Sequence, residues 1–224
     1  MNLRLALLGA SGVLMALTLW MVFLWVPTEA SLGVSQRIFY FHVPIAMIGL
    51  AAFAFVTVGS IGYLWRKTER WDNLAYAAAE VGTLFTTLAL VTGILWNRPA
   101  LELWWTWSPQ LTLTLVLWMI YVAYLMLRAY APKGAQGARY AAVLGILGGI
   151  DAPIVYMAAK WWRDVHPGAF VGPLAEEGAL EEPMAIAFRV ALLTFTFLFT
   201  YLFLERYSLR RDEEAVERLW HSHA

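Results

Sequence analysis

The chain has 224 residues, of which 61% are apolar, 15% aromatic and 14% charged, against about 25% charged in an ordinary soluble domain. Such a composition belongs to a membrane protein, and the balance of 16 Lys and Arg against 16 Asp and Glu leaves no basic surplus to recruit nucleic acid. The absence of cysteine excludes disulfides, thiolate metal sites, thiol redox chemistry and Cys-x-x-Cys-His attachment of a prosthetic group.

A membrane-spanning helix needs about 20 mostly apolar residues, because the hydrocarbon core is about 30 Å thick and a helix rises about 1.5 Å per residue. Six stretches qualify in chain order: Leu5 to Val26, Phe41 to Trp65, Ala75 to Trp96, Leu111 to Leu127, Tyr140 to Ala159 and Met184 to Leu204. The first outruns the apolar core of a secretory signal and has no small-x-small cleavage site, so it reads as a retained helix. The expected fold is an all-α integral membrane protein with six transmembrane helices. Residues 1–204 form one domain, and 205–224 form a charged tail that reads as a polar helix. No internal repeat and no second folded domain emerge.

The basic residues set an expected orientation. With the N-terminus inside, Arg4, Arg66, Lys67, Arg70, Arg128, Lys133, Arg139, Arg206, Arg210, Arg211 and Arg218 fall on the cytoplasmic side. Only Arg37, Arg98, Lys160 and Arg163 fall outside. This asymmetry obeys the positive-inside rule and predicts both termini in the cytoplasm. The unusual residues then gather in the outer connections Pro27 to Tyr40, Asn97 to Gln110 and Lys160 to Pro183, and function is expected on that face. The acidic stretch from Leu174 to Pro183 is a candidate docking segment.

Three features meet on the outer face. His42 stands in Phe41-His42-Val43-Pro44 at the mouth of the second span, and His166 in His166-Pro167 just beyond the fifth. Between the third and fourth spans lie Trp96 and the run Trp104-Trp105-Thr106-Trp107. Plain alternatives exist: an interfacial histidine is commonly a hydrogen-bonded surface residue, and tryptophan belts form at both membrane surfaces. The belt accounts for Trp20, Trp25, Trp65, Trp161 and Trp162, but less well for three indoles within four residues of a connection. That cluster reads as a flat aromatic platform for a planar conjugated ligand, and two imidazoles from separate loops suit the two axial positions of a haem iron.

With these motifs the chain resembles the haem exporter protein C (cytochrome c maturation protein C, CcmC) family, within a haem-handling superfamily defined by its Trp-rich outer loop. The resemblance implies non-covalent haem b presented on the outer face of the plasma (inner) membrane. His42 and His166 would be the axial ligands, and Trp96, Trp104, Trp105 and Trp107 the platform. It also implies handover to a membrane-anchored haem chaperone for cytochrome c biogenesis, beside ABC-type transporter subunits and a small single-span membrane subunit, with no catalysis by this chain. The family's Trp-x-Trp-Asp-x-Arg-Leu-Thr departs here to Trp105-Thr106-Trp107-Ser108-Pro109-Gln110-Leu111-Thr112, replacing an acid and a base by Ser108 and Gln110. The candidate substitutes are Arg98 and Glu102 in the same loop, and Arg37 and Arg163 near the two histidines, where a guanidinium would hold a haem propionate by a charge-assisted bond.

Two other functions compete. A cytochrome c synthetase of the same superfamily usually carries more spans and buried histidines, whereas a transporter would show paired broken helices or repeats. Inside the spans, Asp151 and Arg189 fall at similar depths, and an uncompensated charge there costs about 2.5–3.5 kcal/mol. A mutual ion pair is therefore expected, with a polar route through the membrane as the functional alternative. Glu80, closer to the cytoplasmic surface, is expected to reach water or bond a neighbouring helix.

Overall fold

The computed structural model describes residues 3–30, 32–131, 134–162 and 180–223. Among them the chain forms six long helices and no β-sheet: α1 (Leu3–Trp20), α2 (Phe39–Arg66), α3 (Glu69–Leu101), α4 (Pro109–Tyr130), α5 (Ala135–Trp161) and α6 (Glu182–His223). A single π-helical turn, Met21–Trp25, extends α1, and a short 3-10 turn, Val34–Ile38, leads into α2. Six of these stretches are long and apolar enough to cross a membrane, and the protein is a multi-pass membrane protein. In hydrocarbon each backbone N–H and C=O must find its partner within the segment, which is why every apolar run becomes a helix.

Helix ends follow local chemistry. Lys67 takes a left-handed conformation (φ 54°) and returns its N–H to the Tyr63 carbonyl at 2.7 Å, closing α2. Ser108 caps α4, its Oγ accepting from the Leu111 N–H at 3.3 Å, with Pro109 in the first helical position, where its missing N–H is not needed. The last helix does not break at residue 205. It runs unbroken for 42 residues, about 63 Å at 1.5 Å per residue, so the charged tail expected to be helical continues the sixth span directly.

The α2–α3 hairpin forms the centre of the bundle, with α4 and α5 packed together on it and α1 and α6 packed together on it from elsewhere. Phe53 of α2 stacks on Tyr121 of α4 with centroids 3.7 Å apart, and Phe85 of α3 meets Phe199 of α6 edge-on at 5.5 Å. Thr18 of α1 and Thr194 of α6 share a buried 2.8 Å hydrogen bond, the kind of small polar contact that joins helices in a bilayer. At Gly59 the hairpin has no room for a side chain: an added Cβ would lie 2.8 Å from the Ala75 nitrogen and 2.9 Å from its Cβ. Gly59→Val is therefore expected to force α2 and α3 apart and destabilise the protein by about 1–3 kcal/mol. Thermal unfolding in detergent checks this, and an unchanged midpoint would show that the close approach contributes nothing.

Charged residues of α3, α4 and α6 are tied across helices. The Asp72 and Arg128 side chains pair at 2.7 Å and are only 10% and 8% exposed. Glu80 pairs with Arg206 of α6, so it does bond a neighbouring helix. Asn73 donates to Glu214 at 2.8 Å and Arg218 reaches Glu69 at 2.5 Å. The guanidinium groups of Arg128, Arg206 and Arg210 lie 5.5, 5.6 and 4.8 Å from the Tyr76 ring. These contacts strap the start of the long tail to the start of α3.

The expected pair between Asp151 and Arg189 does not form. Asp151 sits on α5, which packs against α4 and α2, whereas Arg189 sits on α6, which packs against α1, α2 and α3. Similar depth placed the two charges at one level without making their helices neighbours. Arg189 is exposed, and the Asp151 Oδ2 is buried with no hydrogen-bond partner.

Candidate functional site

Short connections after α2, α3 and α4 make successive helices antiparallel. The start of α2, the end of α3 and the start of α4 therefore gather at one end of the bundle, together with the connection 102–108. His42, Trp96, Trp104, Trp105 and Trp107 all lie at this end. His166 and Arg163 lie outside the described residues.

His42 is the fourth residue of α2 and is half-buried. Three residues of α3 surround its ring. Thr92 Oγ1 lies 3.0 Å from Nδ1. Trp96, one helical turn further on, meets the imidazole edge-on with centroids 5.7 Å apart and planes at 64°. Between them Gly93 lets the ring lie against the backbone, since a Cβ there would stand 3.0 Å from His42 Cε1. Trp96 is in turn held by Phe39 at 6.2 Å. The imidazole is thus braced by a helix fifty residues away in sequence.

The tryptophan segment is assembled differently from the flat platform its sequence suggests. Trp105 and Trp107 stand edge to face, 5.6 Å apart at 79°, so together they offer faces in two orientations rather than one plane. Trp107 is 76% and Trp104 56% exposed, apolar area that is normally covered by lipid or a ligand. The indole nitrogens of Trp96 and Trp105 are buried without a hydrogen-bond partner, as are Asn97 Nδ2 and Gln110 Oε1. Buried polar groups are rarely left unpaired, and four at one end mark a place where further polar contacts remain to be made. Trp20, Trp25, Trp65, Trp161 and Trp162 are all well exposed, as a membrane belt requires.

The arginine candidates divide. Arg98 Nη1 donates to the Glu102 carbonyl at 2.6 Å, and its guanidinium lies 5.9 Å from the Trp104 ring. Arg98 is thereby committed to closing α3 at Glu102, whose φ is 60°. Arg37 lies 5.7 Å from the Phe23 ring, a cation–π contact that leaves its N–H donors to other partners. Ser108, standing where the resemblance expects an acid, is the N-cap of α4, a position that Asp and Ser fill about equally well; the exchange preserves the helix start. Gln110 carries no such explanation, and its side-chain oxygen is one of the unpartnered atoms.

Sequence reasoning missed Thr92, Gly93 and Asn97. The signal was present in part: Thr92 and Trp96 are separated by four residues and share one helical face, so a histidine packed on that face would meet both. Among the described residues no three His, Cys, Asp or Glu side chains converge as a chelating set.

The fold and this end of the molecule define a multi-pass helical-bundle membrane protein with an imidazole braced against an indole where α2 begins and α3 ends. The chain matches the heme exporter protein C (CcmC) family over residues 2–222. It is 30% identical over 194 residues to heme exporter protein C of Haemophilus influenzae, covering 87% of this chain and 78% of that one. Against heme exporter protein C of Bradyrhizobium diazoefficiens it is 33% identical over 198 residues, covering 88% and 74%. The Escherichia coli heme exporter protein C is 35% identical over 161 residues, covering 70% and 64%. The chain belongs to the heme exporter protein C family.

Proposed function

We propose that this protein binds haem at the end carrying His42 and the tryptophan segment, and hands it to a membrane-anchored haem chaperone for cytochrome c biogenesis. The observation that carries the reading is the braced His42 beside Trp96, in a molecule whose described residues offer no chelating set for a bare metal ion. Iron already seated in a macrocycle needs only one or two axial donors, and a fixed imidazole is such a donor. His42 and His166 are the proposed axial ligands, holding haem b without a covalent bond. Trp96, Trp104, Trp105 and Trp107 supply apolar faces, and Arg37 and Arg163 are the proposed partners for the propionates. The names of the relatives support haem as cargo rather than as the cofactor of a catalysed reaction.

The positive-inside asymmetry supports both termini in the cytoplasm and this site on the outer face of the inner membrane. Residues 1–204 act as the haem-handling bundle, with 205–224 as its cytoplasmic extension. ABC-type transporter subunits and a small single-span membrane subunit are the proposed neighbours in the bilayer. The test is the visible spectrum of the detergent-purified protein from haem-replete cells that also express the chaperone. A low-spin haem spectrum, with haem passing to the chaperone, is the expected result. A protein that purifies intact but colourless would overturn the reading in favour of a transporter with a plain aromatic belt. Covalent joining of haem to a cysteine-bearing acceptor by this chain alone would make it a synthetase instead.

A further inference from the structure

Resting on the reading of His42 as a haem ligand, we propose that Thr92 is a positioning residue that sets the tautomer of His42, keeping the ring proton on Nδ1 and the lone pair on Nε2. A neutral imidazole has one N–H and one lone pair, and only the nitrogen with the lone pair can ligate a metal. Which nitrogen that is follows from the bond made by the other.

Thr92 decides it because a hydroxyl has a single proton. Thr92 Oγ1 lies 2.7 Å from the Leu88 carbonyl of the preceding turn and 3.2 Å from that of Ala89, neither of which can donate. The Thr92 proton goes to the Leu88 carbonyl, so Oγ1 meets His42 Nδ1, 3.0 Å away, as an acceptor. The chain Nδ1–H to Oγ1–H to the Leu88 carbonyl uses both protons, and each bond polarises the next. With the proton on Nε2 instead, Thr92 would have to turn away from Leu88 to donate to Nδ1. The contacts around the ring oppose its turning: the ring lies close against Gly93, where a Cβ would stand a tight 3.0 Å from Cε1, and Trp96 meets it edge-on. Thr92, Gly93 and Trp96 are one turn of one helix, so α3 orients the donor that α2 carries. Partners of this kind fix the orientation of a ligating histidine and raise its basicity.

The test uses the full-length protein in detergent with histidines labelled with nitrogen-15, at a pH of about 8.5 where an ordinary imidazole is neutral. The two ring nitrogens resonate far apart, so the spectrum reads which one carries the proton, and the His42 signals are those missing from His42→Gln. The wild type is expected to carry the proton on Nδ1, Thr92→Ser to keep it there, and Thr92→Val to give a mixture. In a parallel haem titration Thr92→Val is expected to bind about 10- to 100-fold more weakly, with Thr92→Ser near wild type. A wild-type proton on Nε2, or a Thr92→Val protein with unaltered ring signals, would overturn the proposal. A protein that shows the Nδ1 tautomer but takes up no haem would leave the role of Thr92 in setting the ring intact and refute the haem reading alone.

Discussion

His42→Ala is expected to abolish the low-spin haem spectrum of the purified protein, because the side chain removed is the one the α3 brace holds in place. His166→Ala should act in the same direction, through the second axial position. Trp107→Ala is expected to do less. One exposed indole face contributes about 0.5–1.5 kcal/mol beyond its area, so affinity should fall about tenfold while the spectrum keeps its low-spin form. The contrast between lost ligation and weakened stacking is read from band position as against the haem concentration at half-saturation. Retention of the wild-type band positions in His42→Ala would remove His42 from the iron.

Arg128→Ala is expected to be the most destabilising single change. The pair it forms with Asp72 is 2.7 Å long with both side chains almost fully covered, and truncating one partner strands a buried charge at a cost of about 3–5 kcal/mol. Arg128 also lies 5.5 Å from the Tyr76 ring, packing that disappears with it. Neutralising the stranded acid in the double variant Asp72→Asn, Arg128→Ala should restore much of the loss, since the penalty lies in the unpaired charge more than in the missing attraction. Thermal unfolding in detergent separates the cases. If the single and double variants unfold at the same temperature, the loss comes from packing on Tyr76 and not from charge.

The part of the site that was legible in the sequence is the part built from residue type. A histidine two residues before a proline at the mouth of the second span, and indoles crowded into a connection, stand out because these side chains are rare and chemically distinctive, and His42 and those indoles appear at one end of the bundle. The brace was not legible in the same way. Thr92 and Gly93 are ordinary residues of a membrane helix, and their meaning depends on a ring fifty residues away. The tilt of Trp107 against Trp105 likewise follows from how the chain turns between α3 and the Ser108 cap, not from the spacing of the tryptophans.

What the sequence by itself determined is the number and position of the spans and the continuation of the last into a polar helix. A bilayer leaves an apolar run no choice but to satisfy its own backbone, so hydropathy and length suffice. What only the tertiary structure decided is which helices are neighbours. Asp151 and Arg189 lie at similar depth on helices that do not share a face, while Glu80 and Arg206 lie on helices that do. Depth in the membrane is a one-dimensional property written along the chain. Adjacency comes from close packing of small residues, such as Gly59 against Ala75, and that complementarity exists only once two distant segments are side by side.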